Sequence, residues 1–163
     1  MVELTAIEML MLFAASVCLA DLLNRKIPNW LVIAGLIVAL AGRAWAGGLG
    51  AVGSGLGGLL VAAALVVPIY MARGMAAGDV KAIGVAGAFV GLPLAPVATA
   101  FVLVMGGLCA LAVIARKRVQ NPGLDGTLKT KMPYGVAIAL GLGSFCWWQL
   151  HTPSGGELWM MSA

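Results

Sequence analysis

Two aspartates in this chain adjoin long apolar runs. Asp21 lies near the end of the first run, and Asp79 lies just before a later one, directly after Gly78. Two carboxyl groups held within a few Å of each other cannot both ionise readily, so they share a proton. One then acts as a base toward water and the other as an acid toward a carbonyl oxygen, which is the chemistry of aspartic peptide hydrolysis. The ordinary alternative is that Asp79 only caps a helix, because Asp is common at helix starts.

The composition indicates the surroundings of these acids. The 163 residues are 62% hydrophobic and only 10% charged, whereas soluble domains have about 25% charged residues. This excludes a water-soluble globule and predicts a single membrane-embedded domain over residues 1–163, all-α in fold. The 10 Lys and Arg against 6 Asp and Glu are too few to form a nucleic-acid-binding face. The 23 glycines are about twice the average frequency and predict helices packed closely through small residues.

Six apolar runs predict about six transmembrane helices. They cover residues 4–23, 29–46, 53–72, 82–92, 94–115 and 133–150. The stretch 82–115 is too long to cross once, since at about 1.5 Å per residue it would make roughly 51 Å of helix for a core of about 30 Å. The Pro-Leu-Ala-Pro sequence at residues 93–96 supplies a turn, because proline removes a backbone donor and disfavours helix in the residue before it. We therefore expect a short fourth helix, separated from the fifth by this turn.

The basic residues predict the orientation. With six crossings, one membrane face collects Arg25, Lys26, Arg73, Lys81, Arg116, Lys117, Arg118, Lys129 and Lys131. Only Arg43 lies near the other face, so the positive-inside rule makes the first face cytoplasmic and places both termini outside. The second and third spans go out and return between the two acids, so Asp21 and Asp79 lie at the same, cytoplasmic face. Ionisable residues at membrane depth are costly and are functional candidates by default.

The cysteines do not indicate a metal or redox site. Cys18, Cys109 and Cys146 each lie inside an apolar run, and no two are close enough in sequence to form a zinc or redox motif. We expect them to be small buried hydrophobic residues. No metal site and no cofactor are predicted.

Three motifs around the acids resemble those of the type IV prepilin peptidases. They are Asp21 followed by RKIPNW at residues 25–30, AGDVK at residues 77–81, and KMPYGVAIA at residues 131–139. The likeness spans about residues 10–145 and is greatest to the small, peptidase-only members that serve tight-adherence (Flp-type) pili. It implies a multi-pass aspartic endopeptidase of the bacterial cytoplasmic (inner) membrane. Such an enzyme removes the short leader of prepilins at the cytoplasmic face.

The resemblance also implies roles for individual residues. Asp21 and Asp79 would be the catalytic pair. The site-lining residues would be Asn29, Gly78, Lys81, Pro133, Tyr134 and Gly135. For Lys81 an equally simple role is that of a positive-inside anchor. The expected partners are prepilins with a short leader and an apolar N-terminal helix, together with membrane lipids, which the basic end of the loop at residues 116–132 would contact.

Two features bear on how far the resemblance extends. The family signature Gly-x-Gly-Asp should begin with glycine, but this chain has Ala76 there. Larger members also carry a cytoplasmic methylating module, often with paired cysteines. Since no predicted cytoplasmic loop here reaches about 20 residues and no close cysteine pair exists, we expect cleavage without methyl transfer.

Two other functions stay open from the residues alone. A small transport or channel subunit uses intramembrane acids to bind a cation or relay protons. Its acids should lie near the midplane among broken helices, whereas here they are predicted near one interface. A purely structural assembly protein would leave the paired acids without a purpose.

Overall fold

The protein is all-helical wherever its structure is described. The computed structural model describes residues 2–120 and 134–151. Five helices cover them: α1 (Val2–Asn24), α2 (Asn29–Met71), α3 (Ala77–Val90), α4 (Ala95–Gln120) and α5 (Tyr134–His151). The predicted all-α class is confirmed for these residues. The apolar segments Ala6–Asn24, Asn29–Met71 and Ala95–Arg116 are long and apolar enough to cross a membrane, as expected of a helical membrane protein.

Helix α2 folds back on itself and so contains two predicted spans. Its 43 residues would extend about 65 Å if straight. Gly48 instead takes a non-helical conformation, φ 66° and ψ −151°, which glycine adopts without steric cost. The Arg43 side chain, before the break, donates to the Ala51 carbonyl after it at 3.3 Å. We call the two parts, residues 29–47 and 49–71, the first and second arms of α2.

Both ends of α2 lie at the start of α3, as the fold-back requires. Asn29, at the start of the first arm, accepts a hydrogen bond from Lys81 of α3. Met71, at the end of the second arm, is separated from α3 by only residues 72–76. The break at Gly48 falls between the predicted spans 29–46 and 53–72. The number of membrane crossings stays a prediction.

The second arm and α3 pack backbone to backbone. A Cβ added at Gly87 of α3 would overlap the Gly58 carbonyl oxygen and lie 2.6 Å from the Ala62 Cβ. Such contact needs residues without a side chain, which is the close packing that the glycine content predicted. The α2–α3 pairing is the most extensive in the bundle.

Helix α3 is short and is held firmly at its carboxyl end. Its 14 residues measure about 21 Å. It ends at Val90, a turn covers residues 92–94, and α4 begins at Ala95. Buried Arg43 donates to the carbonyls of Ala88 at 2.9 Å and Phe89 at 3.2 Å. These are carbonyls of the last helical turn, where a cation is favourable.

The remaining helices complete the bundle around α3. Helix α5 packs extensively against both α1 and α4. The largest fully buried side chains come from several helices and include Leu10, Ile83, Leu142 and Phe145. Large apolar side chains such as Leu12, Ile37 and Leu111 are exposed on the outside, which suits contact with lipid rather than water.

Candidate active site

Asp21 lies in the last turn of α1 and is held by another helix. Helix α1 ends at Asn24, and Arg25 follows with a positive φ of 51°. The Asp21 side chain is only 7% exposed. Its Oδ2 accepts a hydrogen bond of 2.7 Å from the backbone N–H of Gly135, at the start of α5. The carboxyl group is therefore fixed between α1 and α5.

Asp79 lies in the first turn of α3 and is 6% exposed. Its Oδ2 accepts a hydrogen bond of 3.1 Å from the backbone N–H of Ala76. This bond satisfies one of the backbone donors that a helix start leaves without an intrahelical partner. Asp79 therefore caps α3, as the alternative interpretation of this residue predicted. The cap uses only Oδ2, one of the two oxygens of the carboxyl group.

The two acids line one cavity. Its volume is about 780 Å³, and it lies between the end of α1, the segment that links α2 to α3, and the starts of α3 and α5. The walls also include Leu22, Ile27, Met75 and Ala110. A peptide and a water molecule can both be accommodated in a space of this size beside two carboxyl groups.

The other residues expected at the site fall into three groups. Gly78 and Tyr134 line the cavity, and Gly135 contacts Asp21 directly. Lys81 and Asn29 are not among the lining residues. Instead, the Lys81 Nζ donates to the Asn29 Oδ1 at 3.1 Å. Pro133 lies outside the described residues.

The sequence of the chain matches one known family. The family model described as "Type IV leader peptidase family" matches residues 9–111, which include both aspartates and more than half of the chain. The chain belongs to the type IV leader peptidase family. Neither the curated proteins nor the solved structures contain a match to it.

Three basic residues line the cavity of this leader peptidase, although the sequence analysis used them only to predict the orientation in the membrane. Arg25, Lys26 and Arg73 are exposed, yet all three line the cavity that holds the acids. Arg25 and Arg73 both have positive φ, 51° and 59°, an uncommon conformation for a residue other than glycine. Their sequence positions, just after the ends of two predicted spans, were the signal that could have placed them near the two acids.

The buried position of Arg43 is the second feature that the sequence did not predict. The sequence predicts Arg43 near the outer face, which stays a prediction; in the structure Arg43 lies at the opposite end of α3 from Asp79. It is 8% exposed and contacts backbone carbonyls of the bundle. As for metals, the described residues contain no group of three or more His, Cys, Asp or Glu side chains that could hold an ion.

Proposed function

We propose that this peptidase is an aspartic endopeptidase that removes the short leader of type IV, Flp-like prepilins at the cytoplasmic face of the bacterial inner membrane. The observation that carries the proposal is that Asp21 and Asp79, from separate helices, line the same cavity. Both are buried. Membership of the leader peptidase family supplies the class of reaction.

The chemistry requires the acids to act in opposite protonation states. The ionised carboxylate takes a proton from water, whose oxygen attacks the carbonyl carbon of the scissile bond, while the protonated partner gives its proton to the carbonyl oxygen. In the tetrahedral intermediate the first acid returns its proton to the amide nitrogen. The C–N bond then breaks, and the second acid takes back a proton from a hydroxyl group. The products are a carboxylic acid and an amine, and both acids regain their initial states.

The proposed substrate follows from the resemblance and suits the form of the cavity. A short hydrophilic leader ending in glycine would enter the cavity at the helix ends. The apolar helix that follows would lie against the apolar outer surface of the bundle, where side chains such as Leu22 and Leu23 are exposed. Cleavage without methylation stays a prediction.

The proposed topology has six crossings, with the arms of α2 as the second and third and α3 as the short fourth. Both termini are then outside, and the two acids are at the cytoplasmic face. The turn at residues 92–94, within the sequence that separates the fourth span from the fifth, supports this count.

The direct test replaces each acid by its amide. Asp→Asn preserves size and removes both the negative charge and the exchangeable proton. Asp21→Asn and Asp79→Asn should each abolish cleavage of a purified prepilin, measured as a mass shift. The double variant should be no worse than either single variant, because residues that act as one catalytic unit are strongly non-additive.

Asp125→Asn is the matched control. It makes the same chemical change in an Asp-Gly sequence that has an ordinary turn role, and it should leave cleavage intact. Asp125 lies outside the described residues. Substantial cleavage by membrane-inserted Asp21→Asn or Asp79→Asn would disprove the two-aspartate mechanism and favour the alternative of a cation or proton transport subunit.

A further inference from the structure

The start of helix α5 contacts the reactive group of another helix. Gly135 is the second residue of α5, and the first backbone N–H groups of any helix have no partner within it. The Gly135 N–H donates to Asp21 Oδ2 at 2.7 Å. That length is typical of hydrogen bonds to charged groups, and the bond joins residues 114 positions apart.

The close approach requires glycine at position 135. A Cβ added there would lie 2.6 Å from the Asp21 Cβ, 3.0 Å from its Oδ2 and 3.1 Å from the Val17 carbonyl oxygen. Distances of this order force atoms apart, and the α1 backbone is among them. Because glycine has no side chain, it permits α5 to bring its N–H into contact with the carboxyl group.

The hydrogen bonds give the two oxygens of each carboxyl group different roles. A backbone N–H can only donate, so Oδ2 of Asp21 and Oδ2 of Asp79 both serve as acceptors, from Gly135 and Ala76. The proton that moves in catalysis is then carried by the Oδ1 atoms. A hydrogen bond to one oxygen restricts the plane of the carboxyl group. The orientation of that plane determines where the other oxygen contacts water.

We propose that Gly135 is a positioning residue of the peptidase, whose backbone N–H holds Oδ2 of Asp21 so that Oδ1 exchanges the proton with water. This rests on the proposed function. Gly135 does not touch the reacting atoms, and it acts through Asp21. Loss of its N–H should therefore slow the chemical step and leave substrate binding unchanged.

The sharpest test replaces the N–H by an oxygen atom and adds no side chain. Incorporating glycolic acid at position 135 during in vitro translation into lipid nanodiscs replaces the amide by an ester. We expect kcat for prepilin cleavage to fall about ten- to a hundredfold, the effect of losing one hydrogen bond to a charged group, with KM unchanged. The control is the same ester at Gly143, also in α5, which removes only a helix bond and should leave kcat within about twofold of wild type.

A second pair of variants tests the need for glycine. Gly135→Ala should lose cleavage, because its methyl group displaces Asp21. Gly143→Ala should keep cleavage, because an added Cβ there meets only the Met11 Cε at an ordinary 3.7 Å. If wild type cleaves and the ester at 135 has unchanged kcat, or raises KM alone, the positioning role is wrong while the proposed function stands. If wild type fails to cleave a prepilin, the proposed function fails and this inference with it.

Discussion

The packing of α3 against α2 leads to opposite expectations for two alanine substitutions only three residues apart. Gly84 and Gly87 lie on α3 and both face the second arm of α2. A Cβ at Gly84 would lie 3.6 Å from the Leu59 carbonyl oxygen, which is ordinary contact. A Cβ at Gly87 would overlap the Gly58 carbonyl oxygen and lie 2.9 Å from the Gly58 carbonyl carbon. These are backbone atoms that cannot rotate away.

Two contributions determine the change in the free energy of unfolding: helix propensity and packing. Replacing glycine by alanine inside a helix gains up to about 1 kcal/mol of stability in either position. At Gly84 nothing opposes this gain, so Gly84→Ala should raise the free energy of unfolding by about 0.5–1 kcal/mol. At Gly87 overpacking costs about 1–3 kcal/mol, so after the helix gain the net change should lie between about zero and a loss of about 2.5 kcal/mol. Because both variants share the gain from alanine, they should differ by the overpacking cost alone, about 1–3 kcal/mol.

The assay uses a buried thiol as the reporter. Cys146 is 4% exposed in α5, so a maleimide dye should react with it only when the bundle opens. With Cys18 and Cys109 replaced by alanine, dye reaction is followed along an SDS titration in mixed micelles. A Gly87→Ala variant as stable as Gly84→Ala would refute the reasoning, since it would mean that α2 and α3 separate without cost.

Two other predictions concern topology and the signature before Asp79. Reporter fusions at Asp125 should behave as cytoplasmic, and fusions near Gly50 or after Ala163 as external, because of the distribution of basic residues; a cytoplasmic C-terminus would disprove six crossings. Ala76→Gly should keep or raise the rate of prepilin cleavage, because the position serves Asp79 through its backbone N–H, which glycine retains; complete inactivation would show that the methyl group has a packing role.

The helices were predictable because membrane-spanning segments have a strong apolar signal. The predicted run 4–23 compares with α1 at Val2–Asn24, and 133–150 compares with α5 at Tyr134–His151. Helix α3 begins at Ala77, five residues before the predicted span 82–92, because helical geometry extends past the apolar residues. Apolarity locates the part of a helix that suits lipid, and it does not mark the helix end.

The order of the predicted spans was enough to predict that the two acids lie at the same end of the bundle. It was not enough to predict their hydrogen bonds. Two spans that go out and return bring Asp21 and Asp79 to one end of the bundle whatever the side-chain details. The bond from Gly135 to Asp21 depends on the register of α5 against α1, which no local pattern encodes. The same holds for Arg43, whose contacts with Ala88 and Phe89 join positions about 45 residues apart.

The acids belong to different packed pairs of helices. Asp79 is on α3, which packs mainly against α2, whereas Asp21 is on α1, which packs mainly against α5. Contacts of α3 with α1 and with α5 are sparse by comparison. The spacing of the two carboxyl groups therefore depends on how the α2–α3 pair docks against the α1–α5 pair. Helix tilt and docking respond to the hydrophobic thickness of the surrounding lipid, so we expect the distance between the two carboxyl groups to depend on the acyl-chain length of the bilayer.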